Sequence, residues 1–186
     1  MDDERNEIIL IGPIGAGKST IGALLAEALG LPQVSMDDLR YEYYQQIGYD
    51  PDYADRLRAE QGFPALVAYW KPFEAHAVEQ LLRDYRSCLF DLGAGHTVYE
   101  DAELFGRVQR ALAPFRNVVL LQPDPDVDLS LDIMESYDPV LVRDREINRH
   151  FLTHPSNRLL ARHEIYWRGL MPEQTRDAVL AAVSSA

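Results

Sequence analysis

The stretch Glu7-Ile8-Ile9-Leu10-Ile11-Gly12-Pro13-Ile14-Gly15-Ala16-Gly17-Lys18-Ser19-Thr20 decides how this chain folds. Its first five residues are a short run rich in β-branched apolar side chains, closed by Gly12-Pro13, which reads as a buried strand entering a turn. From Lys18 to Leu29 the apolar positions Ile21, Leu24, Leu25, Ala28 and Leu29 keep the spacing of a one-sided helix, and Gly30 with Pro32 stops it. Between strand and helix, Gly12 to Ser19 matches G-x-x-x-x-G-K-[ST] in the context where that pattern has a physical use. Glycines at 12, 15 and 17 let successive backbone N–H groups converge on one anion at the positive end of the helix. The expectation is that Gly12, Gly15, Ala16, Gly17, Lys18, Ser19 and Thr20 hold the phosphates of a nucleoside triphosphate. Lys18 would reach the β- and γ-phosphates and act in catalysis, and the Ser19 hydroxyl would hold Mg²⁺. The plainer alternative, a glycine-rich turn that happens to carry Lys-Ser, leaves the agreement of motif, strand and helix without a cause.

Working outward, strands are predicted at 33–35, 87–91, 117–121 and 163–167. Helical patterns occupy 37–85, with interruptions at Gly48, Pro51, Gly62 and Pro72, then 101–112, 124–135 and a last helix from Pro172-Glu173. The segment Tyr137 to Pro155 is polar and shows no clear period. Strand and helix alternate, which predicts an α/β fold with a parallel sheet covered on both faces. With 186 residues, no internal repeat and no linker, residues 1–186 read as one domain.

Composition narrows the function. The chain is 47% apolar and 26% charged, and its net charge of −12 repels the backbone of nucleic acids and anionic membranes alike. Neither is expected as a partner. The lone cysteine, Cys88, has no internal disulfide partner, and it reads as a packing residue within Cys88-Leu89-Phe90. An acidic N-terminus and the lack of any apolar stretch of membrane-spanning length predict a cytoplasmic protein, and a monomer or homodimer is expected. Only two of the 18 basic residues are lysines, Lys18 and Lys71. No Asn-Lys-x-Asp sequence for reading guanine occurs, which disfavours a regulatory GTPase.

Ile8 to Thr20 resembles the opening of the shikimate kinases and their relatives among small P-loop kinases. The resemblance follows the element order along most of the chain and is sharp in the first 30 residues or so. It implies a P-loop NTPase three-layer α/β/α sandwich, a five-stranded parallel sheet in the order 2-3-1-4-5, and a helical or loop lid at about 138–155 carrying arginine. The implied activity is ATP- and Mg²⁺-dependent phosphoryl transfer to a hydroxyl of a small metabolite, bound by a helical region at about 37–85.

Carried over residue by residue, the family's acidic pair after the second strand falls on Ser35 and Asp37, so Asp37 becomes the group that binds and deprotonates the acceptor hydroxyl. Asp38 is a less favoured substitute, and a helix N-cap is the plainer role for Asp37. The family's substrate arginine, after a phenylalanine, falls on Glu74 after Phe73, which argues against shikimate itself. Gly93, Ala94 and Gly95 replace the family's triple glycine near the substrate. Arg143 falls on the lid arginine, with Arg145 and Arg149 as neighbours, and Arg162 or Arg158 on a further substrate arginine.

Asp91, where the family usually lacks an acid, ends the third strand at a position suited to holding Mg²⁺. A cap on the following turn is its plainer reading. His96 reads as a solvated loop side chain rather than an acceptor contact. Six arginines between 143 and 168 face a preceding stretch, 122–139, with six acids and no base, so they are either catalytic or paired with those acids. Six tyrosines between 41 and 69, with Phe63, Trp70 and Phe73, form either core or an apolar acceptor wall. The alternatives to a metabolite kinase are a nucleoside, nucleotide or antibiotic phosphotransferase and a non-catalytic ATP-binding regulator.

Overall fold

A computed structural model describes residues 5–137 and 145–185. Arg5–Ile11 forms β1, and its side chains alternate between two covered faces. Ile8 and Leu10 pack with Leu25, Val119, Leu121 and Val179 on one side, while Ile9 and Ile11 pack with Val78, Leu81, Val118 and Leu120 on the other. A strand covered on both faces reads as a continuous apolar run, which is why β1 was legible without any alternation of polar residues.

The chain then runs through α1 (Lys18–Leu29), β2 (Gln33–Ser35), α2 (Met36–Gln45), α3 (Pro51–Gln61), α4 (Phe63–Asp84), β3 (Leu89–Asp91), a 3₁₀ turn (Ala94–Thr97) and α5 (Ala102–Leu112). It continues with β4 (Phe115–Gln122), α6 (Val127–Tyr137), α7 (Arg145–Thr153), α8 (Pro155–Leu160), β5 (His163–Tyr166) and α9 (Pro172–Ser184). All five strands are parallel in the order β2-β3-β1-β4-β5, as the resemblance implied. Helices α1 and α9 cover one face, and α4 and α5 cover the other. Among the described residues no helix is long and apolar enough to cross a membrane.

Three expectations shift. Pro72 does not interrupt α4, which runs 22 residues through it. The face carrying Phe73, Ala77, Val78, Leu81 and Leu82 is buried, and that burial outweighs the one hydrogen bond that proline removes. Helix α6 starts at Val127 rather than 124, because the Asp126 carboxylate accepts from the Leu129 N–H and fixes the start. The aperiodic segment 137–155 contains α7, whose Asn148, Phe151 and Leu152 are buried while Arg145, Glu146, Arg149 and His150 lie nearer its surface. A nine-residue helix offers too few apolar positions for a period to show in sequence.

Candidate active site at the carboxyl end of the sheet

β1 ends at Ile11, level with Leu120 of β4, and the next six residues turn back over the sheet into α1. Gly12 adopts a φ of +144°, and a Cβ there would collide with the Leu121 carbonyl, so only glycine fits this exit from the strand. Gly15 and Gly17 are also in positive φ. The loop is held from outside by two residues remote in sequence. Trp167 donates its indole N–H to Ala16 O at 3.0 Å. Asn148, fully buried on α7, accepts from the Ile14 N–H at 3.0 Å and donates to Ile14 O at 2.9 Å, a two-point clasp on the backbone. Nothing in the polar run around 148 marks this asparagine in sequence; it depends on where α7 lies.

Lys18 opens α1 and turns its ammonium back into the loop, donating to Gly12 O at 3.0 Å and Pro13 O at 2.9 Å. Burial pushes its pKa below the ordinary lysine value, opposed by the charges of Asp91 and Asp37. Ser19 donates its hydroxyl to Asp91 Oδ2 at 2.7 Å. Asp91 is 3% exposed at the end of β3; burial raises its pKa, opposed by Lys18 and by the Ser19 hydrogen bond. Its carboxylate thus faces Ser19 and Gln33 rather than capping the next turn. A serine hydroxyl beside a buried carboxylate is a hard-oxygen pair of the kind Mg²⁺ uses together with phosphate oxygens.

Asp37 is the second residue of α2, and the N-cap position is Ser35, so the capping role weighed for Asp37 is corrected. Its side chain is 59% exposed and accepts from Arg40 Nη1 at 3.2 Å. A Cβ on Gly93 would lie 2.8 Å from Asp37 Oδ1 and 2.6 Å from His96 Nδ1, so the absent side chain lets these two groups meet beside the backbone.

His96 overturns its expectation as a solvated side chain. It is 1% exposed, its Nε2 lies 3.1 Å from the Tyr44 hydroxyl, and its buried Nδ1 has no hydrogen-bond partner among the described residues. Burial, with the Lys71 and Arg40 charges, holds its pKa well below the ordinary histidine value, so it is neutral. The 3₁₀ turn that follows Gly93 carries the ring inward, which a count of polar neighbours in sequence could not foresee.

Glu74 is buried and forms an ion pair with Lys71 at 2.6 Å, while Lys71 also donates to Gly95 O at 2.8 Å. A side chain on Gly95 would collide with the Glu74 carboxylate. The second lysine of the chain therefore offsets the acid that stands where the family has a cation. Arg40 adds a further positive charge beside this group, with its guanidinium 4.9 Å from the Tyr41 ring centre. Its only sequence signal is the i, i+3 spacing from Asp37.

Tyr44, Tyr49, Tyr69 and Phe73 pack against one another with ring centres 5.1 to 5.8 Å apart, which makes them core behind the site. Tyr41 and Tyr53 are the exposed exceptions.

The other basic candidates divide. Arg143 lies outside the described residues. Arg145 pairs with Asp132 and Glu135, and Arg149 with Asp128, so these two neighbours take the plainer role of ion-pairing with the acidic stretch. Arg158 approaches Glu164 at 3.8 Å. Arg162 donates its backbone N–H to Val118 O at the start of β5, level with Ile9 rather than with the carboxyl ends where the other candidates gather.

No protein-family model matches the chain. It is 45% identical over 60 residues to a shikimate kinase of Actinobacillus pleuropneumoniae, which covers 32% of this chain and 33% of that protein. The chain therefore aligns with about a third of the length of this curated relative. Among solved structures, a shikimate kinase from Acinetobacter baumannii in complex with shikimate matches with a TM-score of 0.63 at 21% identity, over 98% of this chain and 95% of the other. A gluconokinase from Sinorhizobium meliloti matches with a TM-score of 0.61 at 15% identity, over 97% and 92%. The chain has the P-loop kinase fold of these proteins, and in sequence it resembles the shikimate kinases.

Proposed function

We propose that this protein transfers the γ-phosphoryl group of ATP, with Mg²⁺, to a hydroxyl of a small metabolite. The observation that carries this reading is the meeting of Lys18, Ser19 and Asp91 at the strand ends with Asp37 beside Gly93. One side of the site suits phosphates and a hard cation, and the other suits a proton acceptor. The acceptor oxygen would attack the γ-phosphorus, the bond to the bridging oxygen would break with its electrons passing to ADP, and the hydroxyl proton would pass to Asp37 Oδ1. Ser19 with Asp91 would hold Mg²⁺, which would supply charge neutralisation at the phosphate oxygens. Lys18 would exchange its loop carbonyls for phosphate oxygens, which compensates its buried charge more fully.

The acceptor face pairs its charges internally, Lys71 with Glu74 and Arg40 with Asp37, and His96 lies buried beside them. Such a face suits a neutral polyol or nucleoside alcohol better than a carboxylate such as shikimate. ATP consumption measured against sugars, nucleosides, gluconate, shikimate and aminoglycosides tests the proposal. Saturable stimulation by one neutral alcohol is expected, about 100-fold or more weaker in Asp37→Asn. ATP binding without turnover on any acceptor would favour the regulator, and robust phosphorylation of shikimate would refute the reading of Glu74.

A further inference from the structure

At the opposite, amino-terminal edge of the sheet, a cleft of about 920 Å³ opens where β1 and β4 begin side by side at Arg5 and Phe115. Its walls come from the ends of α4 and α5, and it is lined by Arg5, Arg83, Arg86, Arg107 and Arg110, five of the sixteen arginines in a chain of net charge −12. Two carboxylates share the cleft, and each is already engaged. Glu7 accepts from Arg5 at 2.6 Å, and Glu79 accepts from Arg107 at 2.6 Å. Among the described residues, three positive charges are left in excess.

Capping of helix ends does not account for them all. Arg86 Nη1 alone lies 2.7 to 2.9 Å from the carbonyls of Leu82, Arg83 and Tyr85, which satisfies the end of α4. Arg5 adds bonds to Leu82 O and Tyr85 O while stacking 4.1 Å over the Phe115 ring centre. The side chains of Arg83 and Arg110 form no hydrogen bond or ion pair with any described residue, and Arg110 packs back against Gly106 on its own helix. Three guanidinium groups are thus fixed by the protein, and those of Arg83 and Arg110 have no partner among the described residues.

We propose that this cleft is a second anion site, separate from the phosphate loop, for a small molecule bearing a diphosphate or two neighbouring phosphates. Guanidinium groups bind phosphate oxygens bidentately, and a concave wall of one sign concentrates the field. The volume is that of a small-molecule site, and the negative surface around it disfavours a polynucleotide. Helix α4 carries Lys71 and Glu74 toward the acceptor side and Glu79 and Arg83 into this cleft, so one rigid element touches both sites.

The test is calorimetric titration of pyrophosphate, ADP and citrate into the full chain carrying Lys18→Ala, which weakens the competing phosphate loop. Saturable 1:1 pyrophosphate binding is expected, weakened tenfold or more by adding Arg83→Gln and Arg110→Gln and by raising salt. The two arginines are exposed, and an unchanged melting temperature will show that the fold persists. An arginine-dependent component tighter for ADP than for pyrophosphate assigns a nucleotide, and equal affinity assigns a free diphosphate. No saturable binding, binding indifferent to the two substitutions, or citrate bound as tightly as pyrophosphate would each overturn the proposal.

Discussion

The glycine-rich loop and the proposed acceptor face meet at the carboxyl end of the sheet, and they are built in opposite ways. The loop is six consecutive residues, 12–17, between one strand and one helix, and its expected ligands are mostly backbone N–H groups whose direction follows from where glycine is required. The acceptor face is assembled from side chains on α2, α4 and the turn after β3, with Asp37 and His96 almost 60 positions apart. A local device can be recognised from its own sequence. An assembled one depends on the fold bringing its parts together, and its chemistry follows from which charges end up paired.

The largest expected effect falls on the loop. Lys18→Ala should reduce ATP turnover by at least ~100- to 1000-fold, the scale of losing one preorganised charge at a phosphoryl-transfer site. The circular dichroism spectrum should stay unchanged. Unimpaired turnover would break the division between a loop that handles phosphates and a face that handles the acceptor.

Next comes the buried pair of the acceptor face. Glu74→Ala leaves Lys71, 17% exposed at its side chain, without its carboxylate, at a cost of about 2–3 kcal/mol in a urea unfolding experiment. Acceptor affinity should fall with it while ATP affinity holds. A loss of ATP affinity equal to that of the acceptor would show that the two regions are not separable.

The smallest effect concerns His96. Burial keeps it neutral in the folded chain, whereas the unfolded chain takes up a proton near pH ~6.5. The unfolded state then binds more protons below that pH, so stability falls as pH drops, by at most ~1.4 kcal/mol per unit. His96→Gln should remove that component. Melting temperatures between about pH 7.5 and 5.5 should therefore decline less steeply in the variant; identical slopes would mean that His96 is not the proton-linked group. Lys71 and Arg40 also disfavour the charged form of His96.

Much of the candidate site could be read from the chain before its structure, but unevenly. Lys18 and Ser19 were legible from the motif, and Asp91 from its place at a strand end. Asp37 rested on the resemblance alone. Asn148 and Arg40 left no trace beyond local spacing, because their importance comes from contacts across more than 100 residues in one case and from a crowded charge cluster in the other. His96 was misread because a polar loop looks solvated until the 3₁₀ turn carries the ring under Tyr44.

The sequence by itself determined the alternation of strands and helices, the buried central strand and the phosphate loop, since each is encoded within a dozen contiguous residues by periodicity and by glycine placement. Only the tertiary structure decided which charges are compensated. It joined Lys71 to Glu74, set Arg145 and Arg149 on the acids of α6, and left Arg83 and Arg110 without a partner among the described residues beside a cleft. Charge compensation depends on distance and burial, and neither is fixed until remote segments have packed.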